Sequence, residues 1–329
     1  MRPLLPIAAV QCLIAAAQCL LCVSCGYVGD PLPPALNIAS PITDLEAIEL
    51  GDRLRVDFPI PPLTTEGLTL TRVGTVELRV GAGTNPFDTN RWAAGAKAYP
   101  LDVAKTGKAV GEIPAAEWIG KEVVVGVHVI NPKGRSSNWS NLVSMRVYEP
   151  LATPANVKAA SDPKGALVTW ESAENSFRIF RKGPNEKDSV EVGTSTARTF
   201  LDAGAQFGAA YEYTVQAVHE HAQSGRSQPV VFTPKDEFPP EPPAGLTAVA
   251  GIGAIELVWD RNTEPDLRGY RVYRANENGA FARVAELIET PAYSDRAVES
   301  GKKYRYAISA VDQSGNESKQ SVAAEAAAP

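Results

Sequence analysis

Phe200-x-Asp202-x5-Gly208-x2-Tyr211-x-Tyr213 and Tyr293-x-Asp295-x5-Gly301-x2-Tyr304-x-Tyr306 are one pattern written twice in this chain. The match extends upstream. Phe177-Arg178-Ile179-Phe180-Arg181 begins 23 residues before Phe200, and Tyr270-Arg271-Val272-Tyr273-Arg274 begins 23 before Tyr293. Further back, Trp170 follows Val157 by 13 residues, Trp259 follows Leu246 by 13, and Phe58 follows Leu45 by 13. Equivalent residues recur 89 residues apart in the last two copies (Trp170, Trp259) and 112 apart in the first two (Phe58, Trp170), and such self-similarity marks a tandem architecture. Four extra residues between Trp259 and Tyr270 are the main length change, and they fall in a predicted loop. Insertions confined to loops, with strands held in register, are what a shared fold requires.

Within each period, short alternating segments are separated by Gly, Pro, Asn, Asp and Ser, and helical periodicity is scarce. Tyr304-Arg-Tyr-Ala-Ile-Ser-Ala-Val alternates as a half-buried antiparallel strand does. About seven such strands per period predict an all-β chain of two-sheet sandwiches. Residues 38–149 form a divergent copy. Phe58 stands where the others have tryptophan, and Gly120-x-x-Val123 keeps the glycine but lacks the tyrosine. Val123, Val125, Val127 and Val129 alternate as its sixth strand, and extra material lies at Pro61–Leu70 and Asn85–Trp92.

Trp170 and Trp259 on the second strand, the Tyr-x-Val-Tyr third strand, and Tyr211 and Tyr304 in Gly-x-x-Tyr-x-Tyr resemble the fibronectin type III family. The resemblance covers residues 151–235 and 240–326. It implies an immunoglobulin-like sandwich, with Trp170 and Trp259 in the core and Tyr211 and Tyr304 bonding back to nearby backbone. Proline marks the junctions, at Glu149-Pro150-Leu-Ala-Thr-Pro154 and at Phe238-Pro-Pro-Glu-Pro-Pro243. Such linkers favour extended geometry, and the units are expected to share few contacts.

All four cysteines lie within the first 25 residues. Arg2, an apolar stretch from Leu4 to Leu21 and small residues before Cys25 have the layout of a secretory signal. Cysteine at the cleavage point resembles a bacterial lipoprotein, which implies a signal peptide over residues 1–24, a diacylglyceryl group on Cys25, and a lipidated, proline-rich stalk over 25–37. An ordinary signal or anchor with a chance cysteine is the other reading. Cys25-Gly-Tyr-Val-Gly29-Asp-Pro31-Leu32 is also similar to the start of a family of very small outer-membrane lipoproteins, which points to the outer membrane of a Gram-negative envelope. The body after Cys25 contains no cysteine, so each sandwich must be stable on its hydrophobic core alone.

The chain's net charge is −6, and it has no run of five or more Lys or Arg, so nucleic acid is not an expected partner. Gly-x-Ser-x-Gly, His-Glu-x-x-His and a phosphate loop are all missing from the sequence, and no catalytic residue, cofactor or metal is expected. His128 should point outward from its strand. His219 and His221, alternate residues on a strand, share a face that could meet a transition metal, or they line a solvated loop. Asp260, Glu264, Asp266, Asp312 and Glu317 could approach one another for calcium, or Asp266 and Asp312 bond loop amides. Trp92 and Trp139 in the divergent copy are the candidate binding surface, since aromatic rings on loops suit protein or sugar contact. The alternative is core packing, with Trp118 and Trp139 filling the space left by Phe58.

The expected function is a non-catalytic, lipid-anchored envelope protein, membrane-bound through Cys25, presenting a protein- or glycan-binding surface. The alternative is an accessory or spacer subunit of an extracytoplasmic carbohydrate-active or hydrolytic complex.

Overall fold

The structure, a computed structural model, describes residues 35–103 and 106–329. Cys25, the segment 1–24 and the stalk prolines Pro31, Pro33 and Pro34 lie outside the described residues. Repeat one contains β1 (Glu46–Leu50), β2 (Arg53–Ile60), β3 (Thr75–Gly81), α1 (Thr89–Gly95), β4 (Lys97–Leu101), β5 (Gly107–Pro114), β6 (Glu122–Ile130) and β7 (Val143–Arg146). Repeat two contains β8 (Ala155–Asp162), β9 (Gly165–Glu171), β10 (Phe177–Lys182), β11 (Val190–Ser195), β12 (Thr199–Asp202), β13 (Tyr211–His219), β14 (Ala222–Arg226) and β15 (Val230–Phe232). Repeat three contains β16 (Thr247–Ala250), β17 (Ile255–Val258), β18 (Leu267–Asn276), β19 (Ala282–Ile288), β20 (Ala292–Asp295), β21 (Lys303–Asp312) and β22 (Ala324–Ala327). Among the described residues no helix is long and apolar enough to cross a membrane.

Two compact units divide the chain. One holds the described residues up to Glu46, Asp57–Gly111 and Val124–Val143, and the other holds Ala47–Val56, Glu112–Val123 and Ser144–Pro329. In the first, β3 pairs antiparallel with both β4 and β6. In the second, repeats two and three each build a sandwich. A sheet ordered β12-β9-β8 faces strands β11-β10-β13, and β16-β17-β20 faces β19-β18-β21-β22. Trp170 packs edge-on to Phe177 at 5.1 Å, and Trp259 edge-on to Tyr270 at 5.2 Å, each inside its apolar core.

Three local devices recur. Gly120, Gly208 and Gly301 all have positive φ, and each donates its N–H to a carbonyl just past the last strand of its repeat, at Val147, Pro234 and Ala328. Only glycine takes that backbone without strain, which is why its spacing survives in repeat one although the tyrosine does not. Second, Ser137-x-x-Ser140, Ser224-x-x-Ser227 and Ser318-x-x-Ser321 accept backbone N–H groups of the preceding strand through their hydroxyls. Third, Asp202 Oδ2 accepts from Arg181 (2.9 Å) and from the Tyr213 hydroxyl (2.8 Å), and Asp295 Oδ2 accepts from Arg274 (2.9 Å) and the Tyr306 hydroxyl (2.8 Å). Burial, followed by the bonded carboxylate, raises both tyrosines well above the usual phenol range, so each stays a neutral donor.

The repeats are not joined by linkers alone. β1 of repeat one runs parallel to β14 of repeat two, with Glu49 opposite Ala222 and Leu50 opposite Gln223. Glu49 N–H donates to His221 O, and Gly51 N–H to Gln223 O, both at 2.9 Å. The exposed ladder groups of one edge strand thus find partners on another. Between repeats two and three, the Ser314 hydroxyl donates to Asp236 Oδ2 at 2.7 Å and Asn316 Nδ2 to Asp236 O at 3.1 Å. The expectation of few shared contacts gives way to these bonds.

Asp295→Ala should destabilise repeat three by about 3–5 kcal/mol, since it removes the carboxylate that the Arg274 guanidinium and the Tyr306 hydroxyl share and leaves Arg274 only the Ala297 carbonyl. Denaturant unfolding followed by Trp259 fluorescence measures this, and a loss below 1 kcal/mol would show that the network is dispensable.

Candidate functional site

β6 reads Glu-Val-Val-Val-Gly-Val-His-Val-Ile and is buried on both faces over most of its length. Val123, Val125, Val127 and Val129 point inward as their alternation predicts. Val124, Gly126 and His128 occupy the opposite face, which the sequence reading left to solvent. Two segments cover it. α1 begins at the cap Asp88, whose side chain accepts from Arg91 N–H at 2.6 Å, and it lays Trp92 across the strand. The Ser137-x-x-Ser140 segment brings Trp139 over from the other side.

The result is a packed aromatic cluster. Trp92 is 1% exposed, and its indole N–H donates to Val124 O at 3.3 Å. Its ring sits where a Gly126 Cβ would be, 2.9 Å from that position. Trp139 is half-buried, edge-on to Trp92 at 5.2 Å and stacked on His128 at 4.0 Å with 8° between planes. The Arg79 guanidinium lies 5.6 Å from the Trp139 ring centre. Glu77, opposite His128 in the β3–β6 register, accepts from Arg79 at 2.8 Å and meets His128 Nε2 at 3.1 Å. Arg79 also donates to Ala93 O, which ties α1 to the sheet.

This geometry corrects two expectations. Trp92 is a core residue and offers nothing to a ligand, because Gly126 leaves a slot that the indole fills. His128 is buried rather than an outward surface residue, because Trp139 closes over it. Burial holds the His128 pKa below the usual imidazole value, although its bond to Glu77 opposes the shift. A neutral imidazole, one carboxylate and one guanidinium satisfy each other here, and no nucleophile joins them. The cluster is built for packing. Trp118 is also half-buried, with the Lys121 ammonium 5.6 Å from its ring centre.

His219 and His221 are both exposed. The strand ends between them: His219 pairs with Ala222, and Glu220 has φ +51°, so His221 lies in the turn and shares no strand face with His219. Asp266 and Asp312 do converge, together with Asp236, with one oxygen of each within 4.8 Å of the others. Oxygen ligands suit a hard cation. Asn316, however, donates to both Asp312 oxygens and Ser314 to Asp236, so loop amides and hydroxyls occupy much of the set. Asp236 was invisible to sequence reasoning because it lies in the junction, 30 residues before Asp266. Glu317 belongs elsewhere, bonded to Arg271, Tyr273 and Ser309, and Glu264 accepts from Glu241 N–H. Those bonds lower the pKa of both glutamates, outweighing a burial effect that is the largest single influence and acts the other way.

Trp170, Trp259, Tyr211 and Tyr304 are all buried. The Tyr211 hydroxyl accepts the N–H of Gln206 at 3.0 Å, and the Tyr304 hydroxyl that of Glu299 at 3.1 Å, each five residues upstream. With the strand order above, these corners decide the architecture. The fold is a tandem of immunoglobulin-like β-sandwiches.

No family model matches the chain. It is 31% identical over 195 residues to exoglucanase B of Cellulomonas fimi, covering 52% of this chain and 17% of that protein. It is 36% identical over 89 residues to an amylopullulanase of Thermoanaerobacterium saccharolyticum, covering 27% and 7%. An amylopullulanase of Thermoanaerobacter thermohydrosulfuricus is 31% identical over 141 residues, 41% of this chain and 9% of that protein. The chain thus spans less than a fifth of each of these carbohydrate-active relatives. Among solved structures, the FN1-FN3 domains of chicken CNTN1 align over 88% of this chain and 99% of their own, at 16% identity and TM-score 0.29. An Fn3-like protein from Clostridium thermocellum aligns over 28% and 96%, at 32% identity and TM-score 0.25.

Trp92→Ala should destabilise the first compact unit by about 3–5 kcal/mol, the cost of emptying a buried aromatic site. A cost under 1 kcal/mol in denaturant melts would mean that the ring is not structural. The same unit should weaken as pH falls below about 6.5. His128 in the unfolded chain takes up a proton there that the folded form resists until its lower pKa is reached. Comparing thermal midpoints of wild type and His128→Gln at pH 7.5 and 5 checks this; the wild type alone should lose that increment.

Proposed function

We propose that the chain is a non-catalytic scaffold of the cell envelope, anchored by lipid at Cys25, whose tandem sandwiches hold a contact surface for an envelope protein or glycan. One observation carries the reading: the residues with the greatest chemical potential are spent on packing. Trp92, His128, Arg79 and Glu77 satisfy one another, and Asp202 and Asp295 are bound within their sandwiches. What remains at the surface suits positioning. The lipoprotein-like layout ending at Cys25 and Gly26 supports anchoring, most simply at the outer membrane. Durable attachment then needs the several acyl chains that lipoprotein processing supplies.

A second reading is favoured by the relatives. Exoglucanase B and the amylopullulanases share only a minor part of their length with this chain. The shared part is accessory to their catalysis in this reading, and the present chain is a spacer or accessory subunit of a carbohydrate-active complex.

Cys25→Ser should move the protein from the membrane to the soluble fraction, and mass spectrometry of the mature N-terminus should find acyl mass on Cys25. A terminus elsewhere, unmodified, would remove the anchor from the proposal. Cross-linking in intact envelopes separates the two readings, since recovery of a glycan-degrading enzyme as the main product supports the accessory role.

A further inference from the structure

The parallel seam between β1 and β14 contains a buried acid that none of the preceding roles uses. Glu49 is 1% exposed. Its N–H donates to His221 O, its Oε2 accepts Tyr148 N–H at 2.8 Å, and the Tyr148 hydroxyl donates to Glu220 at 2.8 Å. A closed circuit therefore joins the edge of repeat one, the exit from repeat one, and the turn between β13 and β14 of repeat two. The other carboxyl oxygen of Glu49, Oε1, is buried and has no hydrogen-bond partner among the described residues. As a neutral acid, Glu49 tolerates that position. As a carboxylate, it places charge on an oxygen shut off from bulk solvent and met by no donor of the described residues.

We propose that Glu49 makes this seam an acid-tightened latch, closed while its carboxyl is neutral and loosened when the carboxyl ionises.

Burial, more than the surrounding charges, favours the neutral state. Burial is the main cause that raises the Glu49 pKa. The Tyr148 N–H bond lowers it in part, and the negative charge of Glu149 raises it again. The turn packed against the seam adds Glu220 and the imidazoles of His219 and His221, of which His219 packs edge-on to Tyr148 at 4.7 Å. β7 and β6 bring Arg146 and Glu122 beside Tyr148, and on β2 Arg55 faces Glu112 at 3.9 Å. No cation among the described residues forms an ion pair with Glu49. An acid whose folded pKa lies above its unfolded value stabilises fully below about pH 4.5, and that stability is lost as pH rises through the folded pKa. The latch consequently works in the direction opposite to the His128 cluster, which weakens on acidification.

Hydrogen exchange of the full chain tests this, read on peptides spanning Glu46–Asp52 and Glu220–Arg226 and corrected for the intrinsic pH dependence of exchange. Protection of both peptides should fall severalfold between pH 4.5 and about pH 8, while peptides from β18 and β21 change little. Glu49→Gln, a neutral side chain of the same shape, should abolish the fall and keep protection high throughout. The double variant His219→Gln/His221→Gln should retain the fall, since those rings are not its source. Glu149→Gln alters only an exposed linker residue and should move the loosening to lower pH, which keeps the test decisive even if Glu49→Gln folds poorly. Flat protection in the wild type, an unchanged midpoint in Glu149→Gln, or loss of the fall in the histidine variant would each overturn the proposal.

Discussion

Asp202 and Asp295 hold their sandwiches together across the middle. Each sits at the end of a strand in one sheet, β12 or β20, and binds an arginine and a tyrosine from the other, on β10 and β13 or on β18 and β21. A body without cysteine has no covalent tie between its sheets, and a sandwich of this size has limited core to spare. The buried carboxylate supplies the tie. It also dictates its neighbours. Arg181 and Arg274 must lie alongside Tyr211 and Tyr304 to reach it, and their guanidiniums stand 5.0 and 5.2 Å from those rings. The corner tyrosines thus lie beside the arginines that reach this buried point, whereas the positive-φ glycine recurs in repeat one without it.

That constraint explains which parts of the structure were legible in the sequence. The 23-residue spacing from Phe177 to Phe200 and from Tyr270 to Tyr293, and the Asp-x5-Gly-x2-Tyr-x-Tyr run, are local, so they announce both sandwiches. The Ser-x-x-Ser segment was also local and present three times, and could have been found by aligning the strand after Tyr-x-Tyr. It was missed because serine in a loop carries no hydrophobic signal. Aligning it places Trp139 at the position of Arg226, whose guanidinium lies 3.6 Å from the Phe180 ring centre. A side chain there folds back over the sheet, so the inward course of Trp139 was implicit in the repeat.

Other features had no local signal. Gly126 looked like an ordinary strand residue, and only the third dimension shows that it vacates space for Trp92. His128 follows a strict alternation that assigns it to solvent, and tertiary packing overrode the alternation. Asp236 lies in a proline-rich junction and reaches Asp266 and Asp312 only through folding. The β1–β14 pairing joins residues more than 170 positions apart, with short, irregular strands whose composition favours neither partner. Long-range parallel pairing leaves the weakest trace in a sequence, and here it binds the divergent repeat one to repeat two.

The seam also bears on how such a chain can change over evolutionary time. A bead with both edges closed can be duplicated, deleted or moved to another gene without consequence for its neighbours. Repeats one and two lack that freedom. Cutting between them would expose the backbone of β14 on one product and of β1 on the other, two unpaired edges ready to join whatever strand is near. They should therefore be inherited as a pair, with rearrangement tolerated more readily at Phe238–Pro243, where the hydrogen bonds across the junction come from side chains.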